Sequence, residues 1–162
     1  MTEQAEDMIR RHADMVFRLA VARCGNRSDA DDVFQDVFTR YLGRRPAFES
    51  EEHARAWFIR VTINCSKSLR HSAWRRHTQP LEELNAAAAP PERELFYALQ
   101  ALPVRDHTLL HLFYYEQLET EQIGALLHTK PATVRTQLVR ARRKLKAILE
   151  EEDDEKCLSN AL

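Results

Sequence analysis

Seven Lys and Arg residues fall between Lys130 and Lys146 with no acid among them. Their chemistry is anion recognition, and their spacing divides the work. Val134, Leu138, Ala141 and Leu145 recur three and four residues apart, the apolar stripe of a helix. That stripe turns Arg135, Thr136, Gln137, Val139, Arg140, Arg142 and Arg143 outward or sideways. A guanidinium can donate two hydrogen bonds to a guanine edge and a carboxamide can pair with adenine, so the first two turns can read bases in a major groove. The later cations, Arg142, Arg143, Lys144 and Lys146, suit phosphates, which hold a duplex without reading it. A solvated helix face would show the same run of charge. The preceding residues favour DNA binding over that reading. ETEQIGALL forms a short helix with Ile123, Leu126 and Leu127 inward, and His128-Thr129-Lys130 is a tight connection. Thr129 is the expected N-cap, with Pro131 in the first turn. A short helix, a turn and a longer basic helix make a helix-turn-helix.

A second basic stretch runs from Arg55 to Arg76, with six Lys or Arg and no acid. Aromatic residues accompany it: Phe48 before it, Trp57 and Phe58 within it, Trp74 near its end. Rings beside cations can stack on unpaired bases. Trp57 and Phe58 also fit an apolar stripe and are expected in the core, whereas Phe48 and Trp74 fit it less well. Upstream, DADDVFQDVFTRY exposes Asp29, Asp32, Gln35, Asp36 and Arg40, a solvated face or a protein-docking one.

The elements that must position these residues are helices. Met8, Ile9, Met15, Val16, Leu19 and Ala20 have helical spacing over 8–24, and Gly25-Asn26 stops that helix. Ser28 followed by Asp31 suggests a capping box for the next helix, which carries Val33, Phe34, Val37, Phe38, Tyr41 and Leu42. Residues 43–50 read as a loop, and a third helix spans about 52–72. HTQPLEELNAAAAPP, 77–91, changes character and reads as a linker. Beyond it, Leu95, Phe96, Leu99 and Leu102 make a short helix ended by Pro103, followed by a longer one through Leu109, Leu110, Leu112, Phe113 and Tyr114. No stretch alternates with the period of a strand. Only 3 glycines in 162 residues favour helices further. The fold class is therefore all-α: two small helical domains joined by a flexible linker, the C-terminal one a helix-turn-helix. The boundaries are 1–76, linker 77–91, 92–149 and an acidic tail, 150–162.

Other functions find little support. There is no Gly-rich phosphate loop, GxSxG or HExxH. His107 and His111 share a helix face but lack an evident carboxylate or Cys ligand, so no metal or cofactor is expected. Cys24, Cys65 and Cys157 are far apart and form no CxxC pair; the first two are expected as small core residues. No window reaches the length of a membrane span, and MTEQAEDMIRRH lacks an apolar signal core. The expected location is cytoplasmic. The net charge of −1 hides a separation of basic and acidic segments, and EEEDDE follows the basic helix at once. Such a tail is expected to be disordered, or to fold back on Lys130–Lys146 and tune DNA binding.

Taken together, three stretches resemble the extracytoplasmic-function sigma factors of bacterial RNA polymerase, of the sigma-70 family. GNRSDADDVFQDVFTRY is similar to the family's core-polymerase-binding segment. ARAWFIRVTINCSKSLRHSAWRR is similar to its promoter-melting helix. ALPVRDHTLLHLFYYEQLETEQIGALLHTKPATVRTQLVRARRKLKAIL resembles its C-terminal domain, although Lys-Pro-Ala and Gln137 depart from the usual pattern. The resemblance covers about residues 8–149.

It implies a sigma factor that directs RNA polymerase core enzyme to promoters and assists DNA melting, without being an enzyme. Asp29, Asp32, Gln35 and Asp36 would dock on the polymerase. Phe48 in loop 44–51, with Asn64, Lys67, Arg70 and Arg75, would bind the melted minus-ten element. Arg135, Thr136, Val139, Arg140 and Arg143 would read the duplex minus-thirty-five element. Implied partners are core enzyme, promoter DNA as duplex and as single strand, and an anti-sigma factor. The alternative is a stand-alone helix-turn-helix regulator with an N-terminal sensor or dimerisation domain. A sensor should offer an apolar pocket; here the first half offers a second basic helix and an acidic face.

Overall fold

The computed structural model describes the backbone of residues 1–73 and 90–161, and the side chains of 1–69 and 93–161. The chain divides into two compact units, Met1–Leu84 and Asn85–Leu162. Every regular element among the described residues is helical.

Among its described residues the first unit holds three helices, α1 (Glu3–Cys24), α2 (Arg27–Arg44) and α3 (Glu51–Ala73), each packed on the other two. Thr2 caps α1 by accepting a hydrogen bond from the Ala5 N–H. Gly25 ends α1 in the left-handed region at φ 76°, where a residue without Cβ is unstrained. The cap of α2 lies two residues before the expected one. Asn26 Oδ1 accepts from the Asp29 N–H at 2.8 Å, and Asn26 Nδ2 donates to Asp29 Oδ2 at 2.9 Å. This reciprocal pair satisfies the helix end that Ser28 and Asp31 were expected to hold. Ser50 Oγ accepts from the His53 N–H and starts α3. Val16 and Leu19 of α1, Val33 and Val37 of α2, and Phe58, Ile59 and Thr62 of α3 form the core.

The second unit contains α4 (Pro90–Ala101), α5 (Val104–Leu110), a single π-helical turn (His111–Tyr115), α6 (Thr120–Leu127) and α7 (Pro131–Ala161). Pro90 and Pro91, expected at the end of the linker, open α4; the rest of the linker, 77–89, lies outside the described residues. The Glu116 N–H bonds the His111 carbonyl at 3.0 Å and closes the wide turn. The chain leaves it through Gln117 at φ 55°. Leu109, Leu112, Ile123, Val134, Leu138 and Ala141 fill the core of this unit.

The acidic tail corrects an expectation. Residues 150–161 are neither irregular nor folded back: α7 runs 31 residues without a break, about 46 Å at 1.5 Å per residue. Nothing after Pro131 breaks a helix, Lys146 pairs with Glu150 one turn on, and Lys156 contacts Glu94 of α4. A collinear helix carries the acids beyond Glu150 away from Lys130–Lys146.

Candidate nucleic-acid interface

The turn between α6 and α7 depends on one glycine. A Cβ on Gly124 would lie 2.5 Å from the Thr129 carbonyl oxygen. The Thr129 N–H bonds the Gly124 carbonyl at 2.9 Å, and His128 takes the left-handed conformation at φ 54°. Thr129 is not the N-cap of α7. Its hydroxyl donates to the Leu127 carbonyl, and the first helical bond, Val134 N–H to the Lys130 carbonyl at 3.0 Å, makes Lys130 the cap residue with Pro131 at the first position. On the other side of α6, Glu119 and Gln122 form a reciprocal capping box. Glu116 is buried against His111, with Nε2 3.1 Å from Oε1. No group of three or more metal-ligating side chains occurs among the described residues.

With Val134, Leu138 and Ala141 buried, α7 turns Arg135, Thr136, Val139, Arg140 and Arg143 to solvent. Val139 is 40% exposed, the kind of apolar contact a thymine methyl can take. Arg135 Nη1 lies 3.4 Å from Thr120 Oγ1 and 3.7 Å from Glu121 Oε1, which holds it over α6. Gln137 is half-buried at the edge of the stripe. The later cations are not equivalent. Lys144 is bound to Asp106 of α5, Arg142 to Tyr114 of the π turn, and Arg143 and Lys146 are exposed.

On α3, Arg60, Asn64 and Lys67 are exposed at spacings of four and three, one line along the outer face. The side chain of Arg70, and all of Trp74 and Arg75, lie outside the described residues. Phe48 is half-buried. Its ring lies 6.4 Å from Tyr41, 5.8 Å from Trp57 and 6.1 Å from Phe58, so it pins loop 45–50 onto the core. That packing argues against a freely offered stacking platform. Phe58 is fully buried and Trp57 half-buried, in keeping with their core pattern.

On α2, Asp32, Gln35 and Asp36 are exposed, one turn apart on one face. Asp29 lies on the same side, two turns before Asp36, but is not offered to a partner. It is 6% exposed and holds the Asn26 cap, so its carboxylate serves the helix end. Asp36 reaches Arg40 at 3.4 Å and also faces the Cys65 thiol. Burial first, then this carboxylate, push Cys65 up to about 12, which makes it an inert core thiol.

Family models match both units. Residues 8–76 match Sigma-70 region 2 and residues 92–145 match Sigma-70 region 4, and together they span most of the chain. The chain belongs to the sigma-70 family. It is a sigma factor of the extracytoplasmic-function type, similar to the ECF RNA polymerase sigma factor SigE of Mycolicibacterium smegmatis, with 29% identity over 163 residues. That match covers 93% of this chain and 63% of the relative, so this sigma factor spans under two thirds of that protein's length. The RNA polymerase sigma-E factor of Streptomyces coelicolor is 28% identical, with 94% of this chain and 95% of the relative covered. The RNA polymerase sigma factor SigV of Bacillus subtilis is 25% identical, covering 88% and 89%. The fold is shared with the sigma factor RpoE solved with the anti-sigma factor NepR from Bartonella quintana: TM-score 0.75, 16% identity, 92% of this chain and 98% of that one. It is shared too with CnrH solved with the cytosolic domain of CnrY: TM-score 0.70, 22% identity, 91% and 88% covered.

Proposed function

We propose that this sigma factor uses three surfaces to direct RNA polymerase core enzyme to its promoters. The α7 face of Arg135, Thr136, Val139, Arg140 and Arg143 reads the duplex minus-thirty-five element. Asn64 and Lys67 of α3, together with Arg70 and Arg75, engage the opened minus-ten element. Asp32, Gln35 and Asp36 of α2 dock on core enzyme, with Asp29 holding that helix in shape from its end. Phe48 serves the second surface by fixing the loop before α3. The domains act as 1–76 and 92–149, each on its own stretch of DNA.

The observation that carries this reading is the two-sidedness of α7. Its stripe of Val134, Leu138 and Ala141 is buried, while its opposite face carries Arg, Thr and Val side chains beyond a turn tight enough to require Gly124. The protein contributes binding and positioning; the polymerase supplies the chemistry. It acts where the polymerase and DNA are, in the cytoplasm. The relatives solved with anti-sigma factors make an anti-sigma factor the expected regulator.

Selection of bound duplexes from a random pool tests the α7 assignment. A preferred motif should emerge. Arg135→Ala and Arg140→Ala should each relax one base position, with a loss of discrimination of about 1–3 kcal/mol there. A motif unchanged in both variants would reject α7 as the reading face.

A further inference from the structure

We infer that Tyr114 and Arg142 form a phosphate clamp on the DNA backbone beside the α7 reading face. This rests on the duplex-binding reading of α7 and adds to it a residue outside the helix-turn-helix.

Arg142 Nη1 donates to the Tyr114 phenol oxygen at 2.6 Å, and its guanidinium carbon lies 5.9 Å from the centre of the same ring. Both side chains are exposed, Tyr114 by 53%. The phenol oxygen accepts in this bond, so its hydrogen is left to donate. A phosphate oxygen can therefore take one hydrogen bond from the phenol and others from the remaining guanidinium N–H groups. A guanidinium already held by a ring and a hydroxyl loses less freedom on binding than a loose one.

The placement fits a groove wall. Arg142 is seven residues past Arg135, two turns further on the same side of α7, or about 10 Å along the axis. A major groove is about 12 Å wide. With Arg135 at base edges, Arg142 stands near the bordering phosphates. The π turn supplies its partner: His111 and Leu112 stay in the core, while Tyr114 and Tyr115 turn outward. Tyr115 stacks parallel on His111 at 5.2 Å, and Tyr114 reaches α7.

The test is fluorescence anisotropy of the full chain on a random-sequence duplex over a series of salt concentrations. Arg142→Ala and Arg142→Gln should each lower the slope of log affinity against log salt by about 1. Tyr114→Phe keeps the ring and loses the hydroxyl. It should weaken binding about threefold to tenfold, with a melting temperature equal to that of the wild type. In the Arg142→Ala background the same change should cost nothing more. Unchanged binding by Tyr114→Phe, or a loss that persists undiminished without Arg142, would overturn the clamp. Arg140→Ala separates the two ideas. If it weakens binding while the Tyr114 and Arg142 variants do not, only the clamp falls; if none of the variants matters, the duplex reading falls with it.

Discussion

Lys144 Nζ lies 2.8 Å from Asp106 Oδ2, and this pair ties one cation of the basic stretch of α7, though its side chain is 53% exposed, to the fold. Asp106 is nearly buried, its side chain 12% exposed, and Lys144 is its partner across from α7. Arg143, the adjacent residue, is exposed. One turn of helix thus carries both roles.

Lys144→Ala should destabilise the protein by about 1 kcal/mol, because it leaves a largely desolvated carboxylate without its cation. Its salt dependence of duplex binding should stay near that of the wild type. Arg143→Ala should do the reverse, lowering the salt slope by about 1 at unchanged stability. Urea unfolding and a salt series on both variants check the division. A slope change in Lys144→Ala as large as in Arg143→Ala would count against it.

Gly124→Ala should disrupt the connection between α6 and α7. The new methyl would meet backbone, the Thr129 carbonyl oxygen at 2.5 Å, which cannot swing aside as a flexible side chain could. A loss of about 1–3 kcal/mol is expected, with a larger loss for Gly124→Val. Chemical denaturation measures both. A variant as stable as the wild type would show that the turn tolerates a wider opening.

The helices themselves were legible, because each buried stripe repeats three or four residues apart: Val16 and Leu19, Val33 and Val37, Val134 and Leu138. The exposed face of α7 followed from the same count. What the sequence hid are interactions between residues far apart or without a period. Asp106 and Lys144 are 38 positions apart, and Tyr114 and Arg142 are 28 apart, so no local pattern marks either pair. Asp29 looked like its neighbours Asp32 and Asp36 until the Asn26 cap drew it inward. Phe48 looked available until the rings of Tyr41, Trp57 and Phe58 enclosed it. The acids after Lys146 looked like a tail, although Leu, Ala, Glu and Lys are also good helix formers and no Gly or Pro interrupts them. Gly124 sits in the middle of the eight residues of α6, so its close approach to the Thr129 carbonyl oxygen had no signal in the sequence.

Gln117 gives a test in the stabilising direction. It sits at φ 55° directly after the π turn, where a side chain costs more than a glycine would. Gln117→Gly should therefore raise stability, by about 0.5–1 kcal/mol after the entropic cost of glycine. A rise in melting temperature at unchanged duplex affinity is the expected result.

His12 should make the first unit sensitive to acid. It is buried and stacked on Phe58 at 4.6 Å, and its Nε2 comes within 3.1 Å of Glu51 Oε1. Burial pushes its imidazole below the ordinary 6.5; Glu51 opposes the shift, and Arg11 and Arg55 add to it. The unfolded chain then takes up its proton at a higher pH than the folded one. Stability is complete above the ordinary histidine value and falls as the pH drops from 6.5 towards the folded value. His12→Phe keeps the stacking and removes the proton site, so its stability should vary less than that of the wild type between about pH 7 and pH 5. Equal slopes in the two proteins would remove His12 from the account.

The most direct measurement is transcription by core RNA polymerase from templates carrying the motif that α7 selects, with and without this protein, and with Asp32→Arg. The expected result is a specific transcript that requires the protein, is strongly reduced by Asp32→Arg, and is accompanied by weaker association of that variant with core enzyme. A protein that binds its motif but neither associates with core enzyme nor starts a transcript would contradict the assignment as a promoter-directing sigma factor.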